Sequence, residues 1–151
     1  MTDEGRVRSL ALFFFFAALD ERFAQSAAIK ALKKCQQRIR RASLPDEKWP
    51  SVIVHVTNTF FNKLKQSKRR PAAISYEAGW LIPEGVDLGP WMEFQKEADL
   101  DEFLAVLWSK ILGISDEAIS EGLGVTVGTV RHRLGRGLHI LGAVRRGDRR
   151  R

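Results

Sequence analysis

Arg131, His132, Arg133, Arg136 and His139 fall within nine residues, and no carboxylate interrupts them. Guanidinium and imidazole groups at this density contact anions, phosphates above all. Little else in the chain could do chemistry. His55, His132 and His139 have no cysteine or carboxylate partners at metal-ligand spacing. No glycine-rich loop follows a strand pattern, and no nucleophile elbow is present. Cys35, the single cysteine, has no sequence cue for a catalytic partner. No enzyme site, metal or cofactor is therefore expected.

Two short helices and a tight turn must hold those cations in place. Ser115 is placed to cap the first helix, and Asp116 and Glu117 supply negative charge to its first turn. Ala118, Ile119 and Leu123 give it an apolar face. Gly124 ends it, because glycine tolerates the left-handed turn. Thr126 is placed to cap the second helix, which starts near Val127. There Val130, Leu134 and Leu138 point one way, and Arg131, His132, Gly135 and Arg136 fall on other faces. A helix pinned by a narrow apolar stripe, with cations and small residues opposite, suits a major groove.

These residues carry a family resemblance. GVTVGTVRHRLGRGLHIL resembles the C-terminal DNA-reading region of bacterial sigma factors, usually G-[IV]-S-x-G-T-V-x-S-R-L-x-R-[AG]. Gly124, Val125, Thr126, Gly128, Thr129, Val130, Arg133, Leu134, Arg136 and Gly137 stand at matching places. ILGISDEAISEGL is similar to the preceding family segment, L-x-G-[LF]-S-x-x-E-I-A-x-x-L, with Ala118 at the usual glutamate and Ser120 at the usual alanine. The resemblance implies a DNA-facing set of Thr126, Val127, Gly128, Thr129, Arg131, His132, Arg133 and Arg136. It further implies Arg131 nearest base edges, with Arg133 and Arg136 on phosphates.

The N-terminal block resembles sigma region two. WPSVIVHVTNTFFNKLKQSKRR places Trp49, Asn58, Lys65, Lys68, Arg69 and Arg70 where the family carries an aromatic residue, a polar helix centre and a basic end. These six are implied contacts to DNA, with Trp49 and the Asn58 region on single-stranded bases. The whole chain is thereby similar to the compact extracytoplasmic-function type. Two departures stand out. Gln25, Ser26 and Lys30 replace the acidic surface that grips the polymerase clamp, and Lys33 and Lys34 add positive charge. Leu100-Asp101-Glu102-Phe103 stands where L-P-x-x-x-R is usual. The implied partners are double-stranded promoter DNA, core RNA polymerase through a weakened contact, and an anti-sigma factor or other regulatory protein. A divergent adaptor that binds a protein or small ligand is the alternative to a promoter-reading regulator.

Composition sets the frame. Hydrophobic content of 44% is enough for a folded core. A net charge of +7 favours a polyanionic partner. Charge divides the chain into a block of +9 over residues 1–70, −7 over 71–102 and +5 over 103–151. The expected architecture is all-α in two small helical domains: 1–70, a linker over 71–98, a helix-turn-helix domain over 99–145, and a basic tail over 146–151. Tyr76, Trp80, Trp91 and Phe94 make the linker too aromatic to be free, so part of it should pack. A strand at Ser51–Val56 is the local competitor, because that run is β-branched. Leu10–Leu19 is strongly apolar but about half the length a membrane span needs. Acidic residues on both sides argue against an export signal, so the run is read as a buried first helix, with no membrane partner. A reducing, cytoplasmic location fits the lone cysteine.

Overall fold

The computed structural model describes residues 3–67 and 87–147. Seven α-helices follow one another there: α1 (Asp3–Ala18), α2 (Glu21–Ala42), α3 (Trp49–Ser67), α4 (Gly89–Glu97), α5 (Leu100–Val106), α6 (Asp116–Leu123) and α7 (Val127–Arg145). A 3-10 turn at Asp46–Lys48 precedes α3, and a π-type turn at Leu107–Ile111 continues α5. The described residues contain no strand, and the fold is all-α.

The apolar run near the start of the chain becomes the centre of the fold. Successive helical residues turn by about 100°. Phe13, Phe14 and Phe15 therefore point in three directions, yet each is fully buried. Other helices must cover this stretch of α1 on every side, while Asp3, Glu4 and Arg8 stay exposed. Phe14 meets Phe23 of α2 and Phe60 of α3 edge-on, at 6.1 and 4.8 Å between ring centres. Phe13 stacks on Trp108 of the π turn at 6.3 Å. Phe16 meets Trp91 of α4 at 5.5 Å, and Trp91 Nε1 donates to the Phe16 carbonyl at 2.7 Å. Among the described residues no helix is long and apolar enough to cross a membrane.

One hydrophobic cluster runs through both halves of the chain, from Leu10 to Ile140. The sequence reading put a linker at 71–98 between two packed units. Of that segment, 87–98 are described, and Trp91 and Phe94 are buried in the shared core. Residues 71–86, with Tyr76 and Trp80, lie outside the described residues. Separate cores on either side of a linker are therefore not what the described helices form.

The β-branched run is helical. Val52, Ile53, Val54 and Val56 are all buried in α3. The helix penalty of such residues is a few tenths of a kcal/mol each, whereas burying one side chain gains about 1.5–3 kcal/mol. Covering by neighbours on several sides decides the outcome. Pro50 occupies the first turn of α3, where no N–H is needed. Thr57 is buried there; its hydroxyl donates to the Ile53 carbonyl at 2.6 Å and accepts from Trp108 Nε1 at 3.0 Å. That bond ties α3 to the π turn.

The α3–α6 crossing is close because Gly122 has no side chain. A Cβ there would lie 2.5 Å from the Ser51 carbonyl oxygen and 2.7 Å from Val54 Cβ. Gly122→Ala should destabilise the fold by roughly 1–3 kcal/mol through overpacking. Gly135→Ala is the matched control, since a Cβ there meets nothing within 4 Å. It should stabilise α7 by roughly 0.5–1 kcal/mol. Thermal melts followed by circular dichroism check both signs.

Cys35 is fully buried on α2, and burial pushes its thiol up to about 12 against the lowering influence of Arg6. The unfolded thiol ionises near its ordinary 9.0. Between those values only the unfolded state sheds the proton, so stability should fall as pH rises above about 9, approaching 1.4 kcal/mol per unit from this group. Urea titrations from about pH 8 to about pH 10.5 should show that slope, reduced in Cys35→Ala.

Candidate nucleic-acid interface

The α6–turn–α7 unit is assembled from local chemistry. Ser115 Oγ accepts the Ala118 N–H at 3.2 Å and starts α6. Gly124 takes the left-handed conformation, φ 70°, and its N–H closes onto the Ser120 carbonyl. Ser120 Oγ donates to the Val125 carbonyl and braces the turn. Thr126 Oγ1 accepts the Thr129 N–H at 3.1 Å and starts α7. Ile119 of α6 and Val130 of α7 are buried where the two helices meet the core.

The buried stripe of α7 runs through Val130, Gly137 and Ile140. The sequence reading had put it through Val130, Leu134 and Leu138; Leu134 and Leu138 are only half-buried. Gly137 explains the shift. A Cβ there would stand 2.9 Å from the Glu102 carbonyl oxygen and 2.7 Å from Val106, so α5 lies directly on the α7 backbone.

Opposite that stripe, Thr126, Gly128, Arg131, His132, Gly135, Arg136 and His139 are exposed. Val127, Thr129 and Arg133 are half-buried. Arg131, His132, Gly135, Arg136 and His139 line an open groove of about 700 Å³ that Glu97 borders. Of the eight residues expected to face DNA, Thr126, Gly128, Arg131, His132 and Arg136 are exposed, and Val127, Thr129 and Arg133 are half-buried.

Each arginine of the set is met by a carboxylate. Arg131 Nε lies 3.2 Å from Asp116 Oδ2, and its Nη2 lies 3.8 Å from Glu117. Arg133 lies 3.7 Å from Asp101. Arg136 Nε lies 2.7 Å from Glu102 Oε2. These pairs differ in kind. The Arg131 side chain is 64% exposed, so its pair is weak and phosphate competes with it readily. The Glu102 side chain is only 4% exposed, and its other oxygen accepts the Asp99 N–H at 3.0 Å in the capping box of α5. Arg136 therefore clamps α7 to α5, where the sequence reading had given it a phosphate. The D-x-x-E spacing of Asp99 and Glu102 was the signal available for the cap; nothing local marked Glu102 as a partner for Arg136.

The N-terminal candidates fare differently. Trp49 is 5% exposed, and the Arg6 guanidinium covers its ring at 4.3 Å. That ring has no free face for a base, which corrects the stacking role expected of it. Asn58 is half-buried on α3, and its side-chain oxygen accepts from Asn62 at 3.2 Å. Lys65 falls within α3. Lys68, Arg69 and Arg70 lie outside the described residues. Among the described residues no group of three or more histidine, cysteine or acidic side chains is placed to hold a metal.

No protein-family model, curated protein or solved structure matches the chain.

The two classes of ion pair separate on substitution. Arg136→Ala leaves a buried carboxylate short of its partner and should cost about 1–3 kcal/mol of stability. Arg131→Ala should cost less than about 1 kcal/mol. Urea denaturation of the two variants measures the difference, and Glu102→Gln beside Arg136→Ala should recover part of the larger loss.

Proposed function

We propose that the chain is a DNA-binding transcription regulator on a sigma-like scaffold, with α7 as the helix that enters the major groove of promoter DNA. The observation that carries this reading is the exposed row on a capped α7: Thr126, Gly128, Arg131, His132 and Gly135, immediately after a tight turn. Small residues let the backbone approach the groove, and Arg131 carries a bidentate donor for a guanine edge. A carboxylate pair on Arg131 is compatible with this role. The pair is exposed and gives way to a stronger anion. The work of such a chain is cytoplasmic.

Contact with core polymerase is the weaker part of the proposal. Gln25, Ser26 and Lys30 are all exposed on α2, where the family presents carboxylates. A cationic clamp finds no attraction there. The neutralised arginines of α7 and the shared core favour a second reading, an adaptor that uses the same scaffold to bind a protein or small ligand.

Fluorescence anisotropy on duplex libraries at fixed salt tests the first reading. Arg131→Ala should cost about 1–3 kcal/mol on the preferred site and flatten discrimination among sequences. Unchanged preference in that variant removes α7 from base reading. Copurification with core polymerase then separates a sigma-type role from a stand-alone regulator or adaptor.

A further inference from the structure

The most strongly charged surface of the described residues is not α7 but α2. That helix carries Arg22, Lys30, Lys33, Lys34, Arg38, Arg40 and Arg41 against a single acid, Glu21. All seven cations are exposed. Among the described residues none of them lies within 4.0 Å of a carboxylate, whereas Arg131, Arg133 and Arg136 of α7 are all paired. Helical spacing puts Arg22, Lys30, Lys33, Arg40 and Arg41 within about 100° of arc, with Lys34 on its edge and Arg38 about 60° outside it. Ser26 and Gln37, uncharged hydrogen-bonding residues, fill the gaps on the same side. From Arg22 to Arg41 the helix rises about 29 Å, close to one turn of duplex DNA.

We propose that this outer face of α2 binds the phosphate backbone of double-stranded nucleic acid without reading its sequence. Charge complementarity carries the assignment: a row of exposed cations with no carboxylate partner among the described residues matches a polymer with one negative charge per about 1.7 Å of axis. The face lacks what other polyanionic partners need. It has no exposed aromatic ring on which single-stranded bases would stack. Its one exposed large apolar side chain is Ile29, 52% exposed, which is too little to insert into a membrane interface or anchor an acidic protein. This surface stands apart from the α7 proposal, because neither depends on the other's residues.

The test is the salt dependence of binding to a random-sequence duplex, with Arg22→Gln, Lys30→Gln and Lys33→Gln combined. The three side chains are exposed and have no carboxylate partner among the described residues, so the fold should persist, and a circular dichroism melt checks it. The slope of log affinity against log salt should flatten by about one unit per cation removed, and affinity should fall about tenfold or more at moderate salt for every sequence alike. Arginine at Lys30 and Lys33 should leave both unchanged. An unaltered slope in the triple variant overturns the proposal. So does tighter binding of the unmodified chain to polyglutamate or to phosphatidylserine vesicles than to duplex at equal ionic strength. Arg131→Ala separates the two sites: lost discrimination with an intact slope speaks for α7 alone, and a lost slope in the triple variant with unchanged discrimination in Arg131→Ala speaks for α2 alone.

Discussion

The constraint on which the rest of this structure depends is the burial of α1. Phe13, Phe14 and Phe15 stand at successive helical angles and leave no water-facing side. A helix apolar all round must be enclosed. Four separate elements supply the enclosure: Phe23 from α2, Phe60 and Phe61 from α3, Trp108 from the π turn and Trp91 from α4. Helices from both halves of the chain are thereby drawn onto one core. The position of the α6–α7 unit follows from this. α3, which covers one side of α1, is the surface on which α6 sits through Gly122.

Charge is distributed in a way that composition does not show. Two acidic residues of the −7 segment serve as partners for α7. Asp101 and Glu102 hold Arg133 and Arg136, and Asp116 and Glu117 from α6 hold Arg131. Three of the arginines of α7 are therefore paired in the free protein. Its exposed pairs are cheap to exchange for phosphate, while the Arg136–Glu102 pair is part of the α5–α7 joint. Among the described residues, the seven cations of α2 have no such carboxylate partners.

Where local propensity and tertiary packing disagreed, packing won. Ser51–Val56 reads as a strand from its β-branched residues, but α3 buries Val52, Ile53, Val54 and Val56 against different neighbours. A strand would present alternate residues to opposite faces; a central helix uses all of them. Trp49 was attractive as a base-stacking residue on its type and position. The Arg6 guanidinium, 43 residues earlier in the chain, covers it instead.

What the sequence by itself determined is local. Helix content, the caps Ser115 and Thr126, the turn at Gly124 and the burial of the phenylalanine run depend on neighbours within a few residues, and each was legible. The identity of the exposed row on α7 belongs here too, because helical period fixes which residues share a face. What only the tertiary structure decided is which distant groups meet. That Arg136 finds Glu102 across 34 residues, that Thr57 receives Trp108 across 51, and that Gly122 and Gly137 exist for close crossings cannot be read from spacing. Such contacts are set by how the helices enclose α1. Enclosure is a many-body packing problem, in which the free energy of a pair depends on where every other helix has already been placed.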